Sequence, residues 1–153
     1  MHSLPYIDVT QRRGCVIVKL LNDLQRWWRR RDRVGARGER IAARHLRREG
    51  YRILGRNVQL AGGEIDLLAT TDRGRTLVVV EVKTNADAAA AMIPELRVGA
   101  DKRRRLQRLG VQAQRRFARN RRVALRFDVV AVALRGRWRR PVVRHHRAAF
   151  EMS

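Results

Sequence analysis

Residues 63–83 read GEIDLLATTDRGRTLVVVEVK, and the fold turns on them. Two apolar runs, Ile65 to Ala69 and Leu77 to Val82, flank Asp72-Arg73-Gly74-Arg75, the pattern of a β-hairpin. A four-residue loop pairs Thr71 with Thr76, and counting inward predicts Asp66 opposite Glu81 and Glu64 opposite Lys83. Because strand side chains alternate, these four charged groups fall on one face, and Ile65, Leu67, Val80 and Val82 take the other. A slip of one residue would undo that arrangement. Charges inside apolar strands are costly to bury unless they are paired or bind a metal.

Lys83 stands out because the chain uses Arg almost everywhere; its only lysines are Lys19, Lys83 and Lys102. A lysine can act as a compact point charge or release its proton, which arginine cannot. The same residues are also compatible with an ordinary ion pair.

Outward from the hairpin, Arg37 to Glu49 has helical spacing, with Ile41, Ala42, Ala43 and Leu46 as the apolar stripe and Gly50 as its C′ residue. Glu39 shares the stripe's face, so it either caps the helix start or points into a cleft. Tyr51 to Leu54, followed by Arg56-Asn57-Val58, predicts a first strand. Asn85 to Ala91 reads as a loop. A second helix is expected from Asp101 to about Arg119, with Leu106, Leu109, Ala113 and Phe117 inward and Arg103, Arg104, Arg108, Arg115 and Arg119 outward. Val123 to Leu134 predicts a strand interrupted by Asp128, and Trp138 to Val143 an edge strand. The tail, Arg144 to Ser153, is expected to fray. Residues 1–34 form an extension whose Val18, Leu20, Leu21, Leu24, Trp27 and Trp28 suggest a partly amphipathic helix or a disordered lead; the domain proper is expected over 35–143.

With 36 Lys+Arg against 14 Asp+Glu, the formal charge is +22 over 153 residues. A compact chain so charged repels itself, which points to a polyanionic partner. The basic residues are spread along the chain, which favours nucleic acid over a membrane surface. One cysteine, Cys15, gives no disulfide framework, and no run reaches the ~20 apolar residues of a membrane span, so a cytoplasmic location is expected. His145-His146 has no nearby Cys or third spaced ligand, which argues against a zinc site, and His45 reads as a surface or packing residue.

Two adjacent carboxylates repel when ionised unless a cation lies between them. Oxygen ligands from Asp66 and Glu81 suit Mg²⁺ or Mn²⁺, and a metal held there can polarise a phosphodiester and lower the pKa of a bound water. Lys83, two residues along the strand, points to the same side and could position the water or stabilise phosphorane charge.

The motifs Gly38-Glu39-x-x-Ala42, Gly50-Tyr51-x-Ile53-Leu54-x-Arg56-Asn57, Gly63-Glu64-Ile65-Asp66-Leu67-Leu68-Ala69, Val80-Glu81-Val82-Lys83, then Lys102 and Arg126-Phe127-Asp128-Val129-Val130, occur in that order. Over about residues 35–134 they resemble the bacterial uncharacterised protein family 0102, the YraN family. That family is similar to the restriction-endonuclease-like superfamily, near archaeal Holliday-junction resolvases. The resemblance implies an α/β fold with a mixed central sheet flanked by helices, and a metal-dependent endonuclease acting on branched or single-stranded DNA. The alternative is a non-catalytic nucleic-acid-binding accessory protein. It implies Asp66 and Glu81 as metal ligands, Lys83 as catalytic, Glu39 as the helix acid completing the cluster, and Lys102 reaching a phosphate. Arg56, Arg103 and Arg104 join Lys102 as candidate nucleic-acid contacts, and a homodimer is plausible by analogy. Ile65 stands where the superfamily has Pro, and Thr84-Asn85 where the family places a basic residue.

Overall fold

The computed structural model describes residues 33–85, 98–118, 122–135 and 139–151. The readings of residues 1–32, of Ala86 to Ala91, of Arg119 and of Trp138 lie outside the described residues; of the expected edge strand, Val142 and Val143 are in a strand and residues 139–141 are not. Helix α1 covers residues 33–48. It is followed by β1 (Arg52–Leu60), β2 (Gly63–Thr71), β3 (Thr76–Asn85), α2 (Ala100–Ala118), β4 (Ala124–Ala133) and β5 (Val142–Phe150). The five strands form one sheet in sequence order, all neighbours antiparallel except β3 and β4, which run parallel. Parallel neighbours need a crossover, and α2 supplies it.

The two helices cover opposite faces. Ala42, Ala43 and Leu46 of α1 pack on Leu67, Ala69, Val78, Val80, Val130 and Val132. On the other face, Leu106, Leu109 and Ala113 of α2 pack on Leu68, Leu77, Val79, Phe127 and Val129. The strands are buried from both sides, hence the continuous apolar runs of β3 and β4. Burying each such Val or Leu contributes roughly 1.5–3 kcal/mol.

Helix α1 stops as its sequence requires. Gly50 has φ +86, Tyr51 donates its N–H to the Leu46 carbonyl at 3.0 Å, and Gly50 to that of Arg47 at 3.1 Å. This is the Schellman closure. At its other end α1 lies so close to β3 that a Cβ on Gly38 would sit 1.7 Å from the Thr84 Oγ1. Gly110 does the same for α2, where a Cβ would meet the Phe127 ring at 2.9 Å.

The hairpin register agrees with the count: Thr71 pairs with Thr76, and the ladder runs to Leu67 opposite Val80. There it ends, one pair short of Asp66 and Glu81. The expected sharing of a face by Ile65 and Leu67 is corrected, because Ile65 packs in the α2-side core and Leu67 in the α1-side core. The pleat of β2 therefore turns at Asp66. Two further expectations are overturned. Phe117 is 39% exposed and does not complete the α2 stripe. The segment from Arg144 onward does not fray but pairs with β4 up to Phe150. Its partner strand offered a ladder of free N–H and C=O groups, and pairing satisfies them. Among the described residues no helix is long and apolar enough to cross a membrane.

Candidate active site

Where β2 leaves β3, the Asp66 carboxylate substitutes for the missing ladder: its Oδ2 accepts the Val82 N–H at 2.7 Å. Glu81 is on the adjacent strand, buried at 3% exposure among apolar neighbours. Its Oε1 lies 3.1 Å from the Lys83 Nζ and also receives the Lys102 Nζ. Lys83 reaches it because residues two apart on a strand share a side. Lys102 arrives from the first turn of α2, on the face that Glu81 shares with Val79 and Leu77.

Electrostatics reflect crowding of like charge. Burial, and next the Glu81 charge, push the Asp66 carboxyl up to about 6; the Val82 N–H and Lys102 act the other way. Glu39 is also raised, by burial first, against a hydrogen bond from Asn57 and the nearby Arg56 charge; Glu64 adds to the rise. Glu39 lies in the second turn of α1 and so does not cap the helix start, and its charge adds to the rise at Asp66. Glu64 does not pair with Lys83; it accepts a hydrogen bond from the Gln59 amide of β1.

The candidate nucleic-acid contacts divide. Lys102 is committed to Glu81 and Arg56 is exposed beside Glu39. Arg103 is exposed, and Arg104 pairs with Asp101 one turn back. Arg103 and Arg104 line a cleft of about 550 Å³ with Gln107, Phe150 and Glu151. None of the carboxylate cluster lines that cleft.

A second buried acid interrupts β4. Asp128 is 1% exposed and faces α1. Arg126 grips it through Nε and Nη2, both at 2.8 Å, and donates to the Tyr51 hydroxyl at 2.7 Å. The pairing of β4 with β5 shifts between Phe127 and Val129, and the freed Ala148 N–H donates to the Asp128 Oδ1 at 3.0 Å. Asp66 and Asp128 thus both sit at ladder breaks and accept the N–H that the neighbouring strand leaves over. His145 lies between Asp128 and Glu49, 2.8 Å from each. Burial raises the Asp128 carboxyl, but hydrogen bonds from His145 and Arg126 outweigh it and the net direction is down. Burial lowers His145, yet Asp128 and Glu49 carry it above its ordinary 6.5. The signals available in the sequence were the same-side spacing of Arg126 and Asp128 and the i,i+4 spacing of His45 and Glu49. The absence of a third ligand near His145 in the sequence is reversed in space.

Fold and cluster together define a three-layer α/β/α protein with acids gathered where its central hairpin opens. Residues 38–132 match the family described as Uncharacterised protein family UPF0102, and the chain belongs to that family. Relatives called UPF0102 protein include one from Rhizorhabdus wittichii, 45% identical over 116 residues, covering 72% of this chain and 86% of the relative. One from Mycobacterium avium is 40% identical over 119 residues, covering 75% and 88%. One from Porphyromonas gingivalis is 37% identical over 118 residues, covering 77% and 84%.

Proposed function

We propose that the protein is a metal-dependent endonuclease that hydrolyses phosphodiester bonds in DNA. The observation that carries this reading is the meeting of Asp66 and Glu81 at the point where β2 and β3 separate, with Lys83 3.1 Å from Glu81. Two features of the donor set fit Mg²⁺ or Mn²⁺. The donors are carboxylate oxygens, the ligands that hard cations take. The cluster also already draws positive charge, with Asp66 holding a proton to about pH 6 and the Lys102 ammonium resting on Glu81.

Asp66 and Glu81 would hold the ion, with Glu39 in reserve at the rim. When bound, such an ion supplies Lewis-acid polarisation of a phosphoryl oxygen and an acidified water. Asp66 is fixed by the Val82 N–H, so its second oxygen is aimed and not free to rotate. Burial of Glu81 in an apolar wall lowers the local dielectric and strengthens its hold on any cation. Lys83 and Lys102 are each about one-third exposed, so their ammonium groups can turn from Glu81 towards an incoming phosphate. A Lys83 ammonium so placed would stabilise the negative charge that develops on the non-bridging oxygens of the pentavalent phosphorus. Arg56, Arg103 and Arg104 provide flanking positive charge that draws in the backbone.

A second reading is a nucleic-acid-binding accessory protein with this fold and no turnover. It is favoured by one observation: two lysines already neutralise Glu81, as in a structural ion network. A cleavage panel of four-way junction, flap, duplex and single-stranded DNA, with and without Mn²⁺, separates the two. Mn²⁺-stimulated cleavage is expected, lost in Asp66→Ala and Glu81→Ala and lowered about 100-fold or more in Lys83→Ala, with binding retained. Cleavage indifferent to all three substitutions would sink the enzyme reading. Binding without cleavage, and no saturable thermal shift with Mg²⁺, would establish the second.

A further inference from the structure

We propose that His45, Glu49 and His145 form a separate metal site, suited to zinc, that fastens the last strand to the end of α1. One donor atom from each residue, taken together, lies within 4.8 Å of the others. His45 and Glu49 are four apart on α1 and therefore on one face, with Nε2 and Oε1 3.3 Å apart. The Glu49 Oε2 lies 2.8 Å from the His145 Nδ1 of β5. Donors around a tetrahedral zinc with bonds of about 2.0–2.1 Å stand roughly 3.3–3.5 Å from one another. The 3.3 Å between His45 and Glu49 already matches that spacing, and the 2.8 Å between Glu49 and His145 is about half an ångström short of it.

The donor chemistry distinguishes this site from the carboxylate cluster. Two imidazole nitrogens and one carboxylate oxygen are a borderline-soft set, which Zn²⁺ accepts and Mg²⁺ does not favour. The buried acid next to each site faces a different helix, Asp128 towards α1 and Glu81 towards α2.

The stronger support comes from behind His145. A metal-bound histidine usually donates its other ring N–H to a carboxylate, which fixes the tautomer and strengthens the ligand. Here the His145 Nε2 faces the Asp128 Oδ2 at 2.8 Å. Asp128 is itself immobilised by the two Arg126 bonds and the Ala148 N–H. With Nε2–H given to Asp128, Nδ1 turns its lone pair towards the Glu49 oxygen. Two acceptors at that separation need a cation between them, either a proton or a metal ion. The Tyr51 ring, edge-on at 5.4 Å, holds the imidazole plane from the side.

Three protein ligands leave a fourth position. His45 also lines a cleft of about 550 Å³ whose wall includes Arg44, Arg48 and Arg140. An anionic fourth ligand, hydroxide or a phosphate oxygen, is favoured by that surround. Arg147, 3.4 Å from the Glu49 Oε2, is 59% exposed and free to swing away when the ion enters. The consequence is mechanical: β5 is an edge strand whose only strand neighbour is β4, and the metal would turn its existing His145–Glu49 contact with α1 into coordination that also takes in His45.

The test uses the full chain, stripped with a chelator and titrated with Zn²⁺ by calorimetry and thermal melting. The unsubstituted protein and Asp66→Ala are expected to bind one equivalent and to melt at a higher temperature with it. His45→Ala, at a side chain 30% exposed, is expected to melt unchanged without metal. It should bind at least about 10-fold more weakly, as should His45→Gln. Co²⁺ in place of zinc should give the strong visible bands of a tetrahedral nitrogen-containing site. No saturable zinc binding, equal binding by His45→Ala and His45→Gln, loss of binding in Asp66→Ala, or a weak octahedral Co²⁺ spectrum would each overturn the proposal. Because Asp66→Ala removes a ligand of the other cluster, failure of the endonuclease reading leaves this result intact.

Discussion

Asp66 is where the sheet's geometry and the proposed chemistry meet in one side chain. Its carboxylate closes the hydrogen-bond gap left when β2 turns away, and the same placement forces it beside Glu81. Ionised, it is a liability to the metal-free protein. A carboxyl raised from 3.8 to about 6 is relatively better protonated in the folded state. The stability this gives is complete below 3.8, is lost as pH rises to about 6, and stays lost above. Asn in its place keeps an oxygen for the Val82 N–H and carries no charge. Asp66→Asn is therefore expected to stabilise the metal-free protein by on the order of 2 kcal/mol at pH 8. The gain should shrink as the pH approaches 4. Denaturant melts at both pH values check it, and a loss of stability at pH 8 would contradict the account. Asp128 shows the opposite outcome of the same predicament, since Arg126 and His145 favour its charged form and its pKa falls.

At the scale of elements, the approach of α1 to β3 sets the position of Glu39. Gly38 lies against Thr84, and the next residue is the helix acid. A methyl at Gly38 cannot be accommodated 1.7 Å from an oxygen, so the helix must move or Thr84 must give way. Gly38→Ala is expected to cost about 1–3 kcal/mol, the usual range for overpacking. Its midpoint in denaturant should be partly restored by Thr84→Gly, which empties the space. A destabilisation that Thr84→Gly leaves untouched would mean that the contact is not its source. The first turn of α2 has the matching role on the other face, delivering Lys102 to Glu81. The two helices thus reach one hairpin opening from opposite sides of the sheet.

At the scale of the whole molecule, charge dominates. A chain of +22 has few ways to relieve its self-repulsion except by an anionic partner. Binding to single-stranded or duplex DNA is expected to weaken linearly on a log–log plot against salt. Contact with about five phosphates gives a slope of roughly −4. Arg103→Ala and Arg104→Ala should each lower the slope by about 1, because both are exposed on the first turns of α2. A flat salt response would remove nucleic acid as the partner.

Much of this architecture was legible in residues 63–83. Alternation at period two and a four-residue turn are local properties, and they fixed the register from Thr71–Thr76 to Leu67–Val80. Helical spacing did the same for α1 and α2, and Gly50 marked where α1 ends. The candidate acids were visible because burial in an apolar run is costly wherever the chain goes. Other features were decided only by packing. The ladder stops one pair early where β2 changes its pleat at Asp66, which puts Ile65 in one core and Leu67 in the other. Lys102 meets Glu81 because α2 crosses over to bring β4 alongside β3. His145 meets Glu49 across 96 residues, because β5 pairs at the sheet edge beneath the end of α1. Such contacts have no period to read in the sequence. They exist once distant apolar faces have been buried against one another, and until then the charges they bring together are only neighbours of arginines.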